Sequence, residues 1–130
     1  MLYHDDGNSM DTKGILANVC IRLTRRCNLN CKICLASNSF DDMSIENVNK
    51  SIEILTSLGM QCVRLTGGEP FLRNDIFEII DFCLYKKLKV IVFSNLYDID
   101  TKFSEIIKRS INITTSLHGD NVLPTMNLPL

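Results

Sequence analysis

The sequence predicts an α/β protein built on a parallel sheet, with about four βα units. Three observations point there. Short apolar runs of strand character alternate with segments of helical periodicity, the pattern of βαβ units. The third such run, Lys89 to Ser94, is almost continuously apolar, as in strands buried on both faces. Each unusual motif falls directly after a strand, where the functional loops of parallel sheets gather.

The elements follow in order. Asn18 to Thr24 (NVCIRLT) reads as the first strand, and a cysteine-bearing loop and a polar stretch, Ala36 to Met43, come after it. Ser44 is a natural N-cap for a helix in which Ile45, Val48, Ile52, Leu55 and Leu58 recur at helical spacing, with Gly59 as its stop. Gln61 to Thr66 (QCVRLT) is the second strand and runs straight into Gly67-Gly68-Glu69-Pro70. Asn74 is placed to cap a second helix carrying Ile76, Phe77, Ile80, Cys83 and Leu84, and Lys86 and Lys87 suit its C-terminal end. After the third strand, a shorter helix is expected over Thr101 to Lys108. Ile111 to Leu117 is the fourth strand, closed by His118-Gly119. The chain thus divides into a polar N-terminal arm (1–17), a partial core (18–119) and an irregular tail (120–130) with two prolines.

Composition narrows the function classes. With 45% hydrophobic and 22% charged residues, the 130-residue chain is of ordinary globular composition. A net charge of −1 supplies no long-range attraction to nucleic acid or to an anionic membrane. No apolar run approaches the length of a membrane span, and Met1 to Gly14 lacks the apolar core of a secretory signal. A cytoplasmic location is the expectation.

Of six cysteines, three crowd into the stretch from Cys27 to Cys34, which speaks for a metal site rather than a disulfide framework in a reducing compartment. Cys27, Cys31 and Cys34 place three thiols on one short loop. Iron–sulfur clusters are normally held by four thiolates. A fourth ligand is either remote or replaced by an open iron position, as open coordination marks catalytic zinc sites. Cys20, Cys62 and Cys83 fall within a strand, a strand and a helix stripe, and are read as small hydrophobes of the core. Zinc is the competing metal, with only His4 and His118 left as further histidine donors.

The run from Leu23 to Cys34 (LTRRCNLNCKIC) resembles the signature loop of the radical S-adenosylmethionine (SAM) superfamily, and Arg64 to Arg73 (RLTGGEPFLR) resembles its second hallmark. Two motifs in the right order, each after a predicted strand, are more specific than either alone. The resemblance spans about Asn18 to Gly119 and implies a partial (β/α) barrel of the radical SAM type. It implies a 4Fe–4S cluster on Cys27, Cys31 and Cys34, with SAM chelating the remaining iron. An electron from a reduced flavodoxin- or ferredoxin-type donor would cleave SAM to a 5′-deoxyadenosyl radical. That radical would abstract hydrogen from an unidentified substrate, a peptide among the candidates. By the same resemblance, Gly67, Gly68, Glu69 and Pro70 contact the SAM amino group. Ser94 and Asn95 face the methionine carboxylate or ribose, and Ser116 and His118 the ribose. Glycines permit close backbone approach to a ligand, and a carboxylate accepts hydrogen bonds from an ammonium. Ile33 stands where the family usually carries an aromatic residue near adenine, giving apolar contact without stacking. Arg25, Arg26, Lys32 and Arg73 could offset the charge of an anionic cluster or carboxylate, but as solvated loop charges, the commoner case, they are assigned no role.

The motif context is similar to the molybdenum-cofactor cyclase and to peptide-modifying members. Activating enzymes of glycyl-radical systems fit less well. About four βα units are visible where the family usually has six, so a truncated product, a fragment or a protein completed by a partner is expected. An exposed last strand predicts marginal stability or self-association. Beside the enzyme reading stand a cluster-binding remnant without independent catalysis and a structural zinc-binding domain.

Overall fold

The computed structural model describes residues 17–31, 34, 41–97, 99–115 and 125–126. In chain order the elements are β1 (Asn18–Thr24), β2 (Leu29–Asn30), α1 (Ile45–Ser57), β3 (Cys62–Gly67), a 3-10 turn (Pro70–Leu72), α2 (Ile76–Tyr85), β4 (Lys89–Phe93), α3 (Asp100–Ile107), β5 (Asn112–Thr114) and β6 (Thr125–Met126). β1, β3, β4 and β5 lie side by side in that order, and every pair is parallel. Strand order therefore follows chain order, as repeated βα units dictate when each helix returns the chain to the next position.

The register decides which face is core. Val19 and Ile21 of β1 pair with Val63 and Leu65 of β3, which pair with Val90 and Val92 of β4, and Val92 pairs with Ile113 of β5. This face packs on Val48 and Ile52 of α1, on Ile76, Ile79, Ile80 and Cys83 of α2, and on Ile106 of α3. The period-two alternation of a strand sends the intervening residues to the other face. There Cys20, Arg22, Arg64, Thr66, Ile91, Phe93, Asn112 and Thr114 are all at least partly accessible. Two expectations change as a result. The apolar run of β4 is buried on one face only, with Phe93 36% exposed. Cys20 is exposed rather than core, because it shares the open face with Arg22, whereas Cys62 and Cys83 are buried as expected.

The helix ends largely obey their local chemistry. Ser44 caps α1, its side chain accepting from Asn47 N at 3.3 Å. Gly59, at φ 102°, takes the left-handed conformation that ends the helix, and Met60 N donates back to Leu55 O at 3.0 Å. The cap of α2 is Asp75 rather than Asn74, and the Asp75 side chain makes no capping bond because Arg73 engages both its oxygens, each at 2.7 Å. α3 starts and ends one residue earlier than expected. β5 keeps only the middle of the expected strand, whose residues 116 and 117 lie outside the described residues. Within the segment read as irregular tail, Thr125–Met126 pairs antiparallel with Leu29–Asn30 of the cysteine loop. Among the described residues no helix is long and apolar enough to cross a membrane.

Candidate cluster and cofactor site

The site assembles where the chain leaves β1, β3 and β4. At the foot of the cysteine loop, Thr24 ends β1 with its hydroxyl bonded to Asp42 Oδ1, and Arg26 N donates to that hydroxyl at 3.0 Å. Asp42 stands on the returning side of the loop and also receives Arg26 Nη2 at 2.5 Å. Burial alone would raise the Asp42 pKa, but the hydrogen bonds from Arg26 and Thr24 outweigh it and hold the carboxyl below its usual range. Arg73, 3% exposed, adds a second stitch: Nη1 donates to Leu23 O at 2.8 Å and to Met43 O at 2.6 Å. The expectation of a solvated charge fails at Arg73 and Arg26, since both are tied into the base of the loop.

The Gly-Gly-Glu-Pro segment lies directly against this foot. Gly68 N donates to Thr24 O at 3.0 Å, and Glu69 N donates to Arg26 O at 2.7 Å. A Cβ on Gly67 would stand 2.6 Å from Thr24 O, and one on Gly68 2.1 Å from Arg26 O. Both glycines are therefore required by the backbone leading into the cysteines.

Glu69 is 1% exposed and joins the ends of β3 and β4. Its Oε1 accepts from Phe71 N at 3.1 Å and from Ser94 Oγ at 2.9 Å, and its Oε2 accepts from Asn95 N at 2.8 Å. Burial pushes the Glu69 carboxyl pKa up, and these donors with the Lys102 charge offset only part of that. A carboxylate has about four lone-pair positions. Three of them are taken by these donors. Pro70 is buried and begins the 3-10 turn, and Lys102 of α3 bonds the carbonyl of Phe71 within it.

Asn95 closes the circuit. Its Nδ2 donates to Asn28 Oδ1 at 2.8 Å and lies 3.8 Å from Cys27 Sγ, while its Oδ1 accepts from Tyr97 N at 2.8 Å. Asn28 Nδ2 in turn donates to Tyr97 O at 3.1 Å. Ser94 Oγ, besides donating to Glu69, accepts from Leu96 N at 3.0 Å. The side-chain donors of Ser94 and Asn95 are thus engaged within the protein.

Cys27 Sγ also receives Leu29 N at 3.4 Å. Burial raises the Cys27 pKa, the Leu29 N–H counters part of it, and the charges of Glu69, Cys31 and Cys34 raise it further. Cys34 N donates to Cys31 O at 3.0 Å, a turn that keeps those two thiols on the same loop. Among the described residues no group of three His, Cys, Asp or Glu side chains is arranged to hold a metal ion. The structure thus brings Cys27, Gly67, Gly68, Glu69, Pro70, Ser94 and Asn95 together, with Cys31 and Cys34 on the adjoining loop. Ile33, Ser116 and His118 lie outside the described residues. Sequence reasoning missed Asn28, Asp42 and Lys102, ordinary polar residues whose partners are distant in the chain. The Asp-rich end of the polar stretch, at Asp41 and Asp42, was the only signal near them.

The profile of the radical SAM superfamily matches residues 21–122. The chain belongs to that superfamily. Its likeness to a probable GTP 3′,8-cyclase of Pyrococcus abyssi is 43% identity over 68 residues, covering 50% of this chain and 22% of the relative. An uncharacterised protein of Methanocaldococcus jannaschii is 31% identical over 112 residues, which cover 80% of this chain and 39% of that protein. Among solved structures, Streptococcus suis SuiB bound to the precursor peptide SuiA matches with a TM-score of 0.66 and 25% identity, over 76% of this chain and 23% of SuiB. SuiB bound to SAM matches with a TM-score of 0.62 and 23% identity, over 76% of this chain and 22% of SuiB. The chain spans about a fifth of the length of the cyclases and of SuiB. These likenesses bear out the α/β parallel-sheet expectation and the radical SAM resemblance. The donor chemistry fits the family's cluster, since thiolates are the ordinary ligands of iron–sulfur centres and three of them share one loop, although their side chains are not gathered around one point in this structure.

Proposed function

We propose that this chain is the cluster- and SAM-binding part of a radical SAM enzyme. Cys27, Cys31 and Cys34 would hold a 4Fe–4S cluster, and the Gly67 to Pro70 segment would receive the methionine end of SAM. The observation that carries this reading is the hydrogen-bonded circuit running from Cys27 through Asn95 to Glu69, which joins the cysteine loop, the Gly-Gly-Glu-Pro turn and the end of β4. When bound, the cluster supplies the electron for reductive cleavage of SAM, and the radical chemistry belongs to that cofactor. The chain's own work is to hold thiols, turn and strand end in one frame and to present the Glu69 carboxylate to an ammonium. A reduced flavodoxin- or ferredoxin-type protein in the cytoplasm would be the donor, and further βα units, in cis or from a partner, would complete the barrel.

For the substrate, we favour a peptide. The likeness to peptide-bound SuiB, with a TM-score of 0.66 over 76% of the chain, supports that choice. Anaerobic iron–sulfur reconstitution, dithionite reduction and chromatographic assay of 5′-deoxyadenosine test the proposal. SAM cleavage that vanishes in Cys31→Ala is expected. A protein that takes up zinc and no cluster overturns the reading in favour of a structural metal domain. A cluster without cleavage moves it to a remnant or partner-dependent fragment. Consumption of added GTP overturns the peptide assignment.

A further inference from the structure

Cys27 differs from an ordinary loop thiol in its surroundings. It is partly buried, and two nitrogen donors lie at its sulfur: Leu29 N at 3.4 Å and Asn95 Nδ2 at 3.8 Å. The second donor comes from the far side of β3, from a residue 68 positions along the chain. Its orientation is fixed by backbone partners. Tyr97 N donates to Asn95 Oδ1, so the amide nitrogen, and not the oxygen, must face the cysteine loop. Asn28 is fixed the same way, its Nδ2 given to Tyr97 O, while its Oδ1 accepts from Asn95 Nδ2 at 2.8 Å and from the Cys27 thiol at 3.9 Å. One proton of Asn95 Nδ2 serves Asn28, and the other faces Cys27 Sγ.

We infer that Asn95, locked by Asn28 and Tyr97, is a positioning residue that donates a hydrogen bond to the Cys27 ligand sulfur and raises the reduction potential of the cluster. The physical reason is general: a donor at a ligand sulfur withdraws electron density and stabilises the more negative, reduced cluster. A carboxylate or an apolar side chain at this position lacks the donor. The inference rests on the proposed cluster binding and adds to it a residue acting through Cys27 rather than on SAM.

The test compares the parent chain with Asn95→Ala after anaerobic reconstitution. The readouts are iron content, thermal midpoint of the metal-free protein, and cluster midpoint potential from a mediator titration followed by electron paramagnetic resonance. The expected result is a shift of the midpoint potential to more negative values at unchanged iron content. An unchanged potential in a fully loaded variant overturns the inference while leaving cluster binding intact. Absence of a cluster in the parent overturns the proposed function itself, and the inference with it. Should Asn95→Ala fold or load poorly, Asn95→Leu keeps a side chain of similar size at this position and still lacks the donor. A shift to more negative potential is expected there too, and no shift or a positive one overturns the inference.

Discussion

Gly68 shows how little room separates the two motifs. A methyl group there would meet the carbonyl oxygen of Arg26 at 2.1 Å and its carbonyl carbon at 2.5 Å. Both are backbone atoms one residue before Cys27, so the clash cannot be relieved by turning a side chain. Gly68→Ala must move either the turn or the root of the cysteine loop, and in doing so it breaks the Glu69 N to Arg26 O bond. Overpacking at a rigid contact costs about 1–3 kcal/mol, and a lost backbone bond adds to it. The expected outcome is a loss of about 3 kcal/mol in urea unfolding together with reduced iron uptake. Full stability and full iron uptake would show that the loop has slack the structure denies. The importance of this glycine was legible in the sequence, but its cause was not. A glycine pair after a strand suggests close approach to something, and only the pairing of β1 with β3 shows that the neighbour is the chain itself.

At the scale of elements, the sequence was most readable where a local rule acts alone. Ser44, the apolar repeat of α1 and Gly59 are separate signals that agree, and the helix runs between them. Reading failed where a distant partner overrides the local rule. Asp75 is a good capping residue diverted by Arg73, and Arg73 itself, a charge in a loop, is drawn inward by carbonyls 50 and 30 residues away. The alternation of β4 was hidden because Ile91 and Phe93 are apolar yet stand on the open face. Arg73 therefore ties β1, the approach to α1 and the start of α2 into one unit. Its planar fork reaches two carbonyls and a carboxylate at once, which a lysine ammonium on a flexible stem cannot reproduce. Arg73→Lys should destabilise the fold by about 2–3 kcal/mol, since buried acceptors are left without donors. Hydrogen exchange at the Met43 amide, which bonds Leu23 O, should quicken more than exchange within α2. Uniform quickening across the chain would show a global rather than a local role for the clamp.

For the whole molecule, the buried carboxylate and the paired ones pull stability in opposite directions as pH changes. Asp75 and Asp81 are held below the ordinary range mainly by hydrogen bonds from Arg73 and Arg109, and Asp42 by Arg26 and Thr24 against its burial. A depressed folded pKa gives stability that is present above the unfolded value and is lost as pH falls through the folded value, here below about 4. Glu69 has the reverse sign, because burial raises its carboxyl. Its contribution is complete below the unfolded value of about 4.3 and is lost as pH rises through the raised folded value. Acidification from neutrality should first protonate Glu69 in the folded state and increase stability, and then, below about pH 4, reduce it as the aspartates lose their ion pairs. At the alkaline end, Cys83, fully buried against the sheet with its thiol pKa pushed up to about 12 from 9.0, holds its proton in the fold and gives a loss of stability as pH climbs between those values. Glu69→Gln isolates the acid-side rise. Its urea-unfolding free energy, followed from pH 7 to pH 3, should lack the mildly acidic increase and keep the fall below pH 4. A variant that retains the increase would place the rise on another group and detach Glu69 from the acid response of the fold.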